Sequence, residues 1–180
     1  LEHIRSDFIA SNCCGCMACV HACPTKVLRI GKDENGFFVP EIDEAHCIRC
    51  GKCVRSCPMR TKTLGNAPLA AFAAVSRQDN IVLGSSSGGA FAALAAHVLA
   101  QGGVVFGAAM EDFRVHHICV DTLDNLPLLQ KSKYIQSDLE DSYLRAQALL
   151  KAGKTVLFSG TPCQIAGLRS FLGRSYENLI

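Results

Sequence analysis

The stretch CCGCMACVHACP, Cys13 to Pro24, is written again thirty-four residues later as CIRCGKCVRSCP, Cys47 to Pro58. Each copy places three cysteines at two-residue gaps, then a fourth after three residues, then a proline: Cys13, Cys16, Cys19, Cys23-Pro24 and Cys47, Cys50, Cys53, Cys57-Pro58. Nothing else in the chain restricts its fold as strongly. Three thiolates at this spacing wrap a tight loop around an iron-sulfur cubane, and the fourth, followed by proline, does not fold back to the same cubane but ligates the other one. The repeat therefore predicts two 4Fe-4S clusters with crossed ligands. Cluster I takes Cys13, Cys16, Cys19 and Cys57; cluster II takes Cys47, Cys50, Cys53 and Cys23.

Small residues at Gly15, Ala18, Ala22 and Gly51 suit such loops, because a cubane leaves little room beside the backbone and loop amides then donate to sulfur. Between the copies, VLRIGKDENGFFVPEID sets two apolar runs around Asn35-Gly36, which predicts a β-hairpin. Four thiolates also make a tetrahedral zinc site, but zinc does not need the third cysteine, the three-residue step and the proline repeated in full. Cys14 falls in neither ligand set and is read as a spacer or small buried residue.

Nine of the eleven cysteines lie between Cys13 and Cys57, with only Cys119 and Cys163 beyond. A disulfide scaffold would spread them, so the concentration points to metal thiolates in a reducing, cytoplasmic setting. Residues 1–65 carry nine Lys/Arg against seven Asp/Glu. Two oxidised cubanes with eight thiolates add about four negative charges there, which Arg29, Arg49, Lys52 and Arg55 partly offset. A solvated basic face is the plainer explanation for some of these four.

A net charge of +2 without a dense basic stripe argues against a nucleic-acid partner. The longest apolar run, Ala90 to Ala100, is eleven residues and contains His97, short of the roughly 18 to 20 of a membrane span. It reads as a buried helix. The first residue is Leu, so the reading frame is expected to begin upstream.

After Pro58 the texture turns polar, and a boundary is expected near Asn66, dividing the chain into 1–65 and 66–180. The second part reads as a strand or extended piece at Ala70–Val75, a helix from about Gly88 to Gln101 with Phe91, Leu94, Ala95, Val98 and Leu99 on one face, and strands at Val104–Ala109 and Val115–Val120. A short helix near Leu123–Leu129 follows. Ser137 and Glu140 form an expected capping box for a helix to about Ala152, with Leu139, Tyr143, Ala146 and Leu150 as its core stripe. TVLFSG then leads through TPC into a helix from Gln164 to Leu172. The fold class is thus α+β: a two-cluster ferredoxin-like part followed by a partial α/β layered part.

Two turns invite a ligand. GSSSGG, Gly84 to Gly89, precedes a helix, so amides, three hydroxyls and the positive helix end converge, as they do for a phosphate; a simple Ser/Gly cap explains the same residues. No Gly-Lys-Ser/Thr follows, so it is not a P-loop. In SGTPCQ, Cys163 stands at a helix N-terminus, where thiolate is favoured and its pKa is expected to fall. Lys133 and Tyr134 pair a cation with an aromatic ring; a surface lysine beside a packed tyrosine is the commoner reason for such a pair.

With these residues in view, the chain resembles the beta-subunit family of the coenzyme F-420 (deazaflavin) hydrogenases and dehydrogenases, in its bacterial form with an N-terminal two-cluster ferredoxin domain. The two cysteine runs, SSSGGAFAALAAHVLAQGGVVFGAAM, SKYIQSD and GKTVLFSGTPCQIAGL carry the resemblance. It implies an iron-sulfur flavoprotein oxidoreductase in which FAD exchanges a hydride-equivalent pair and the clusters move single electrons. FAD would be held around Ser85, Ser86, Ser87, Gly88 and Gly89, with Lys133 and Tyr134 nearby. Cys163 would face the redox centre, as a ligand to an additional cluster or as an unligated thiol beside the flavin; a buried structural cysteine is the remaining reading.

Implied partners are a redox partner protein or subunit and a small-molecule hydride donor or acceptor such as deazaflavin. Family members continue beyond RSYENLI through a second half of the catalytic domain, so FAD binding and oxidoreductase activity are expected of the full-length protein. The competing expectation is an electron carrier whose α/β part docks a separate catalytic partner.

Overall fold

A computed structural model describes residues 4, 9, 12–60 and 70–180. Its helices are α1 (Ala18–Ala22), α2 (Lys52–Arg55), α3 (Asp79–Leu83), α4 (Ala90–Ala100), α5 (Ser142–Lys151) and α6 (Pro162–Leu172). Its strands are β1 (Leu28–Lys32), β2 (Phe38–Ile42), β3 (Val104–Glu111), β4 (Arg114–Val120) and β5 (Val156–Phe158), with 3-10 turns at Glu44–His46 and Leu123–Leu128. These elements form two compact units: Leu1–Thr63 with Gly160–Ser175, and Leu64–Ser159 with Tyr176–Ile180. The boundary expected near Asn66 lies outside the described residues. The helix after TPC, read from sequence as a continuation of the second part, belongs to the first unit.

In the first unit β1 and β2 pair antiparallel, Leu28 opposite Ile42 and Lys32 opposite Phe38. The turn follows from two residues. Gly36 takes the left-handed φ of 83° that the reversal needs, and the Asp33 carboxylate accepts the N–H groups of Asn35 at 3.0 Å and Phe37 at 2.8 Å. Leu28 turns inward from this hairpin onto Ile4, Cys19, Cys53 and Cys57, which are all buried.

In the second unit the strand order is β4-β3-β5, with β3 antiparallel to β4 and parallel to β5. The end of the chain adds to β5: Val156 and Phe158 donate to the Asn178 and Ile180 carbonyls at 2.8 and 3.0 Å. Alternation along β3 splits its side chains between two layers. Val105 and Ala109 join Ala95, Val98 and Leu99 of α4 together with Leu126, Leu129 and Leu157. Phe106 points the other way and stacks on Phe158 at 5.4 Å; Phe158 also meets Tyr143 of α5 at 5.8 Å. Burying each of Val98 and Leu99 contributes on the order of 1.5–3 kcal/mol. The result is an α/β layered unit.

Several expectations are corrected here. Residues 70–75, read as a strand or extended piece, belong to no strand, and Phe72 and Val75 are 89% and 70% exposed. Instead Ser76 N–H donates to the Gly88 carbonyl at 2.7 Å, and the unforeseen helix α3 follows. On α4, Leu94 is 55% exposed and Ala92 is buried in its stead. The Ser137/Glu140 capping box does not form. Ser137 is engaged by the buried His117, Glu140 N–H is taken by the Asp138 carboxylate at 2.9 Å, and α5 begins five residues later than Ser137. Its stripe of Leu139, Tyr143, Ala146 and Leu150 is buried all the same.

Candidate metal centre

The two cysteine runs take the same path twice. In the first, Gly15 and Met17 have φ of 68° and 55°; in the second, the aligned Arg49 and Gly51 have 52° and 72°. A left-handed residue after the first cysteine and another after the second bend each loop inward. In both, the backbone then donates to the first sulfur: Gly15 N–H to Cys13 Sγ at 3.3 Å, Arg49 N–H to Cys47 Sγ at 3.4 Å. A short helix follows each loop, and each ends alike, with Cys23 N–H on the Val20 carbonyl and Cys57 N–H on the Val54 carbonyl, both at 3.2 Å. Even the clamps correspond: the His21 ring bonds the Met17 carbonyl at 2.9 Å, and Arg55 donates to the Cys50 carbonyl at 3.2 Å.

This repeated path lines two cavities. One is lined by Cys13, Cys16, Cys19 and Cys57, together with Cys14 and walled by Ile4, Ile9, Met17, Pro40 and Met59. The other is lined by Cys23, Cys47, Cys50 and Cys53, walled by Val27, Leu28, Ile42 and Ile48. The last cysteine of each run thus stands with the first three of the other. Among the described residues no three His, Cys, Asp or Glu side chains converge as ligands of a single ion; the sulfurs surround a space. Four cysteines at each cavity match in number the thiolates that a cubane takes, one for each iron.

The electrostatics divide the same way. Burial pushes the Cys19 thiol up to about 12, and Cys13, Cys57 and Cys53 add repulsion. Cys13 is raised by burial, against the opposing Gly15 amide, with Cys14, Cys57 and Cys163 adding to it. Cys53 is raised by burial, opposed by the Ile4 and Val54 amides, with Cys47 and Cys50 adding; Ile4 N–H lies 3.4 Å from its sulfur. At Cys23 burial also raises the pKa, but the Thr25 hydroxyl and the Leu28, Val27 and Thr25 amides outweigh it, and the net shift is downward. Thiols packed this closely resist ionising together, and bound iron reverses that by supplying the compensating charge.

Cys163 sits at the start of α6, which Thr161 precedes and where the Gln164 side chain accepts the Thr161 N–H at 2.9 Å. The expected drop in its pKa does not occur. A hydrogen bond with Cys14 raises it, burial adds to that, and Thr161 and the Gln164 amide oppose without prevailing. Cys119 is half-buried on β4 opposite Phe106.

In the second unit the Ser85–Gly89 loop and the Lys133–Tyr134 segment meet, because Ser132 N–H donates to Ser86 Oγ at 2.8 Å. The individual groups are largely engaged by the chain. Ser85 Oγ donates to the Ile81 carbonyl at 2.7 Å, and a Cβ on Gly88 would fall on the Ala74 carbonyl oxygen. Lys133 Nζ donates to the Gln130 and Leu128 carbonyls at 2.6 and 3.1 Å, with its pKa lowered by burial. Tyr134 is 95% exposed rather than packed. Ser87 is exposed, and Gly89 opens α4 with a left-handed φ of 83°.

Two family models, each described as a 4Fe-4S dicluster domain, match residues 12–61 and 39–95. Both include the second cysteine run. A ferredoxin-type iron-sulfur region is therefore present, and electron transfer is the role it indicates; neither match identifies the deazaflavin family or a flavin site. No curated protein matches the chain. No helix among the described residues is long and apolar enough to cross a membrane.

Proposed function

We propose that the chain is the electron-transferring part of an iron-sulfur flavoprotein oxidoreductase of the F-420 beta-subunit type, working in the cytoplasm with a redox partner. The observation that carries the reading is the sorting of eight cysteines into two crossed sets of four around two cavities. Cys13, Cys16, Cys19 and Cys57 hold cluster I, and Cys47, Cys50, Cys53 and Cys23 hold cluster II. Each cubane supplies one-electron chemistry. The chain's own residues do the rest: amides of Gly15, Arg49 and Ile4 donate to sulfur and stabilise its charge, while Ile4, Ile9, Met59, Val27 and Ile48 line the cavities with apolar groups and restrict water.

The finer reading assigns FAD to the Ser85–Gly89 loop beside Lys133 and Tyr134. Its support is the family resemblance and the Ser86–Ser132 hydrogen bond that joins the two segments. The engagement of Ser85 by Ile81 and of Gly88 by Ala74 favours a second reading, an electron carrier whose second unit docks a separate catalytic partner. Anaerobic purification of the protein with iron, sulfide and flavin analysis separates them. About eight irons with bound flavin supports the flavoprotein, about eight without flavin supports the carrier, and zinc in place of iron removes both.

A further inference from the structure

Five cysteines line the cavity of cluster I: Cys13, Cys14, Cys16, Cys19 and Cys57. Four line that of cluster II. The difference falls at one position of the repeat. Aligning CCGCMACVHACP with CIRCGKCVRSCP puts Cys14 opposite Ile48, and each of these residues lines the cavity of its own set. The repeated path therefore brings the residue after the first cysteine to the cavity wall in both copies, and only the first copy carries a thiol there. Isoleucine closes the wall with alkyl carbon, whereas cysteine brings a sulfur that binds metal as thiolate. Cys14 is free and half-buried, as Cys13 is, while Cys16, Cys19 and Cys57 are buried.

We propose that Cys14 is a substitute ligand for the Cys13 position, able to complete the set with Cys16, Cys19 and Cys57 when Cys13 is lost, an inference resting on the cluster reading above. With Cys14 in that place the gap to Cys16 shortens from two residues to one, and the residue left in the gap is Gly15, at φ 68°. Glycine takes either sign of φ at little steric cost, so this loop can be redrawn locally. The second copy has Arg49 at the same point, at φ 52°, and a residue with a Cβ has fewer alternatives. The substitution moves no electron. Cys14 gives up its thiol proton to solvent, Cys13 takes one up, and the number of thiolates at the cavity is unchanged. The consequence is tolerance: the first set survives oxidation of Cys13, its least buried member, whereas the second set has no thiol to replace Cys47.

The test uses the full chain loaded anaerobically, with iron and sulfide content and electron paramagnetic resonance as readouts. Wild type and Cys14→Ala should each carry about eight irons. Cys13→Ala should keep about eight as well, while the double variant Cys13→Ala, Cys14→Ala and the single variant Cys47→Ala should each fall to about four. Alkylation by iodoacetamide, read by mass spectrometry, gives a second measurement that does not depend on the iron count. Cys14 should be alkylated in loaded wild type and protected in loaded Cys13→Ala. Iron loss in Cys13→Ala as large as in the double variant overturns the proposal, as does a three-iron signal in place of the four-iron one. Alkylation of Cys14 in iron-replete Cys13→Ala overturns it too, because some other group then fills the position. Iron loss from Cys14→Ala alone overturns it by making Cys14 an obligatory ligand. Wild type that binds no iron sinks the cluster reading, and this inference falls with it.

Discussion

Cys57, the last cysteine of the second run, lines the same cavity as Cys13, the first cysteine of the first run, and raises its pKa through space. Forty-four positions separate them. The contact arises because each run bends inward at two left-handed residues, then crosses to the other cavity through a short helix. Local spacing alone does not bring Cys57 there; two copies of one path, facing each other, do.

Crossed ligation has a direct consequence for Cys23. Cys23→Ser should damage the cluster of Cys47, Cys50 and Cys53 while sparing that of Cys13, Cys16 and Cys19, with iron falling by up to about half. Electron paramagnetic resonance of the reduced variant distinguishes the two. Loss of the signal belonging to Cys13, Cys16 and Cys19, with the other intact, contradicts the arrangement.

Gly88 offers a test of the second unit. A Cβ there would stand 2.2 Å from the Ala74 carbonyl oxygen, a backbone atom that moves only with its segment. Gly88→Ala should therefore destabilise the second unit by about 1–3 kcal/mol through overpacking, with iron content unchanged. Gly102→Ala serves as a contrast, since open space surrounds its Cβ position and only its left-handed φ of 74° opposes the change. Equal denaturation midpoints for wild type and Gly88→Ala would show that the Ala74 segment yields freely.

His117 should make the second unit sensitive to acid. Its Nε2 lies 3.0 Å from the Ser159 carbonyl, which only accepts, so Nε2 carries the proton and Nδ1 accepts from the Ser137 hydroxyl at 2.6 Å. Burial lowers its pKa below the ordinary 6.5, against the opposing Ser159 bond. Between the folded and unfolded values the unfolded chain binds more protons, so stability rises with pH there and is lost as pH falls below 6.5. Ring resonances of His117 followed by NMR should titrate below 6.5, and a midpoint at or above that value contradicts the assignment. His117→Leu should cost about 1–3 kcal/mol by leaving the half-buried Ser137 hydroxyl and Ser159 carbonyl without this partner.

How much of this was legible in the sequence depends on how local each cause is. The cysteine spacing, the Asn35-Gly36 hairpin and the stripe on α5 are set by residues near one another, and the structure has a hairpin and a buried stripe at those positions. Whether residues 70–75 are a strand or only an extended piece is not legible, because a short apolar run does not say whether a neighbouring strand exists. Ser137 looked like an N-cap, but tertiary structure gives its hydroxyl to His117, twenty residues earlier. The return of α6 to the first unit was least readable in advance, because it has no signature in local spacing.

Removal of the clusters should separate the two units in stability. The core of the first unit gathers Ile4, Cys19, Leu28, Cys53 and Cys57, so three of five buried members are cysteines of the proposed ligand sets. Without metal these thiols contribute little apolar area and repel one another as they ionise, and the short α1 and α2 have no long packed face to compensate. The second unit is built differently. Val105, Phe106, Tyr143, Ala146 and Val156 are fully buried at 0% exposure, and none of the eight proposed ligand cysteines belongs to it. Oxidative removal of iron in the presence of a chelator should therefore lower or abolish the melting transition of the first unit, with faster proteolysis near α1 and α2, while the second unit melts as before. Native-state hydrogen exchange before and after iron removal resolves the two. Protection lost equally in β3 and in the β1–β2 hairpin would mean that the clusters stabilise the chain as a whole, and uniform retention would mean that the first unit folds without them.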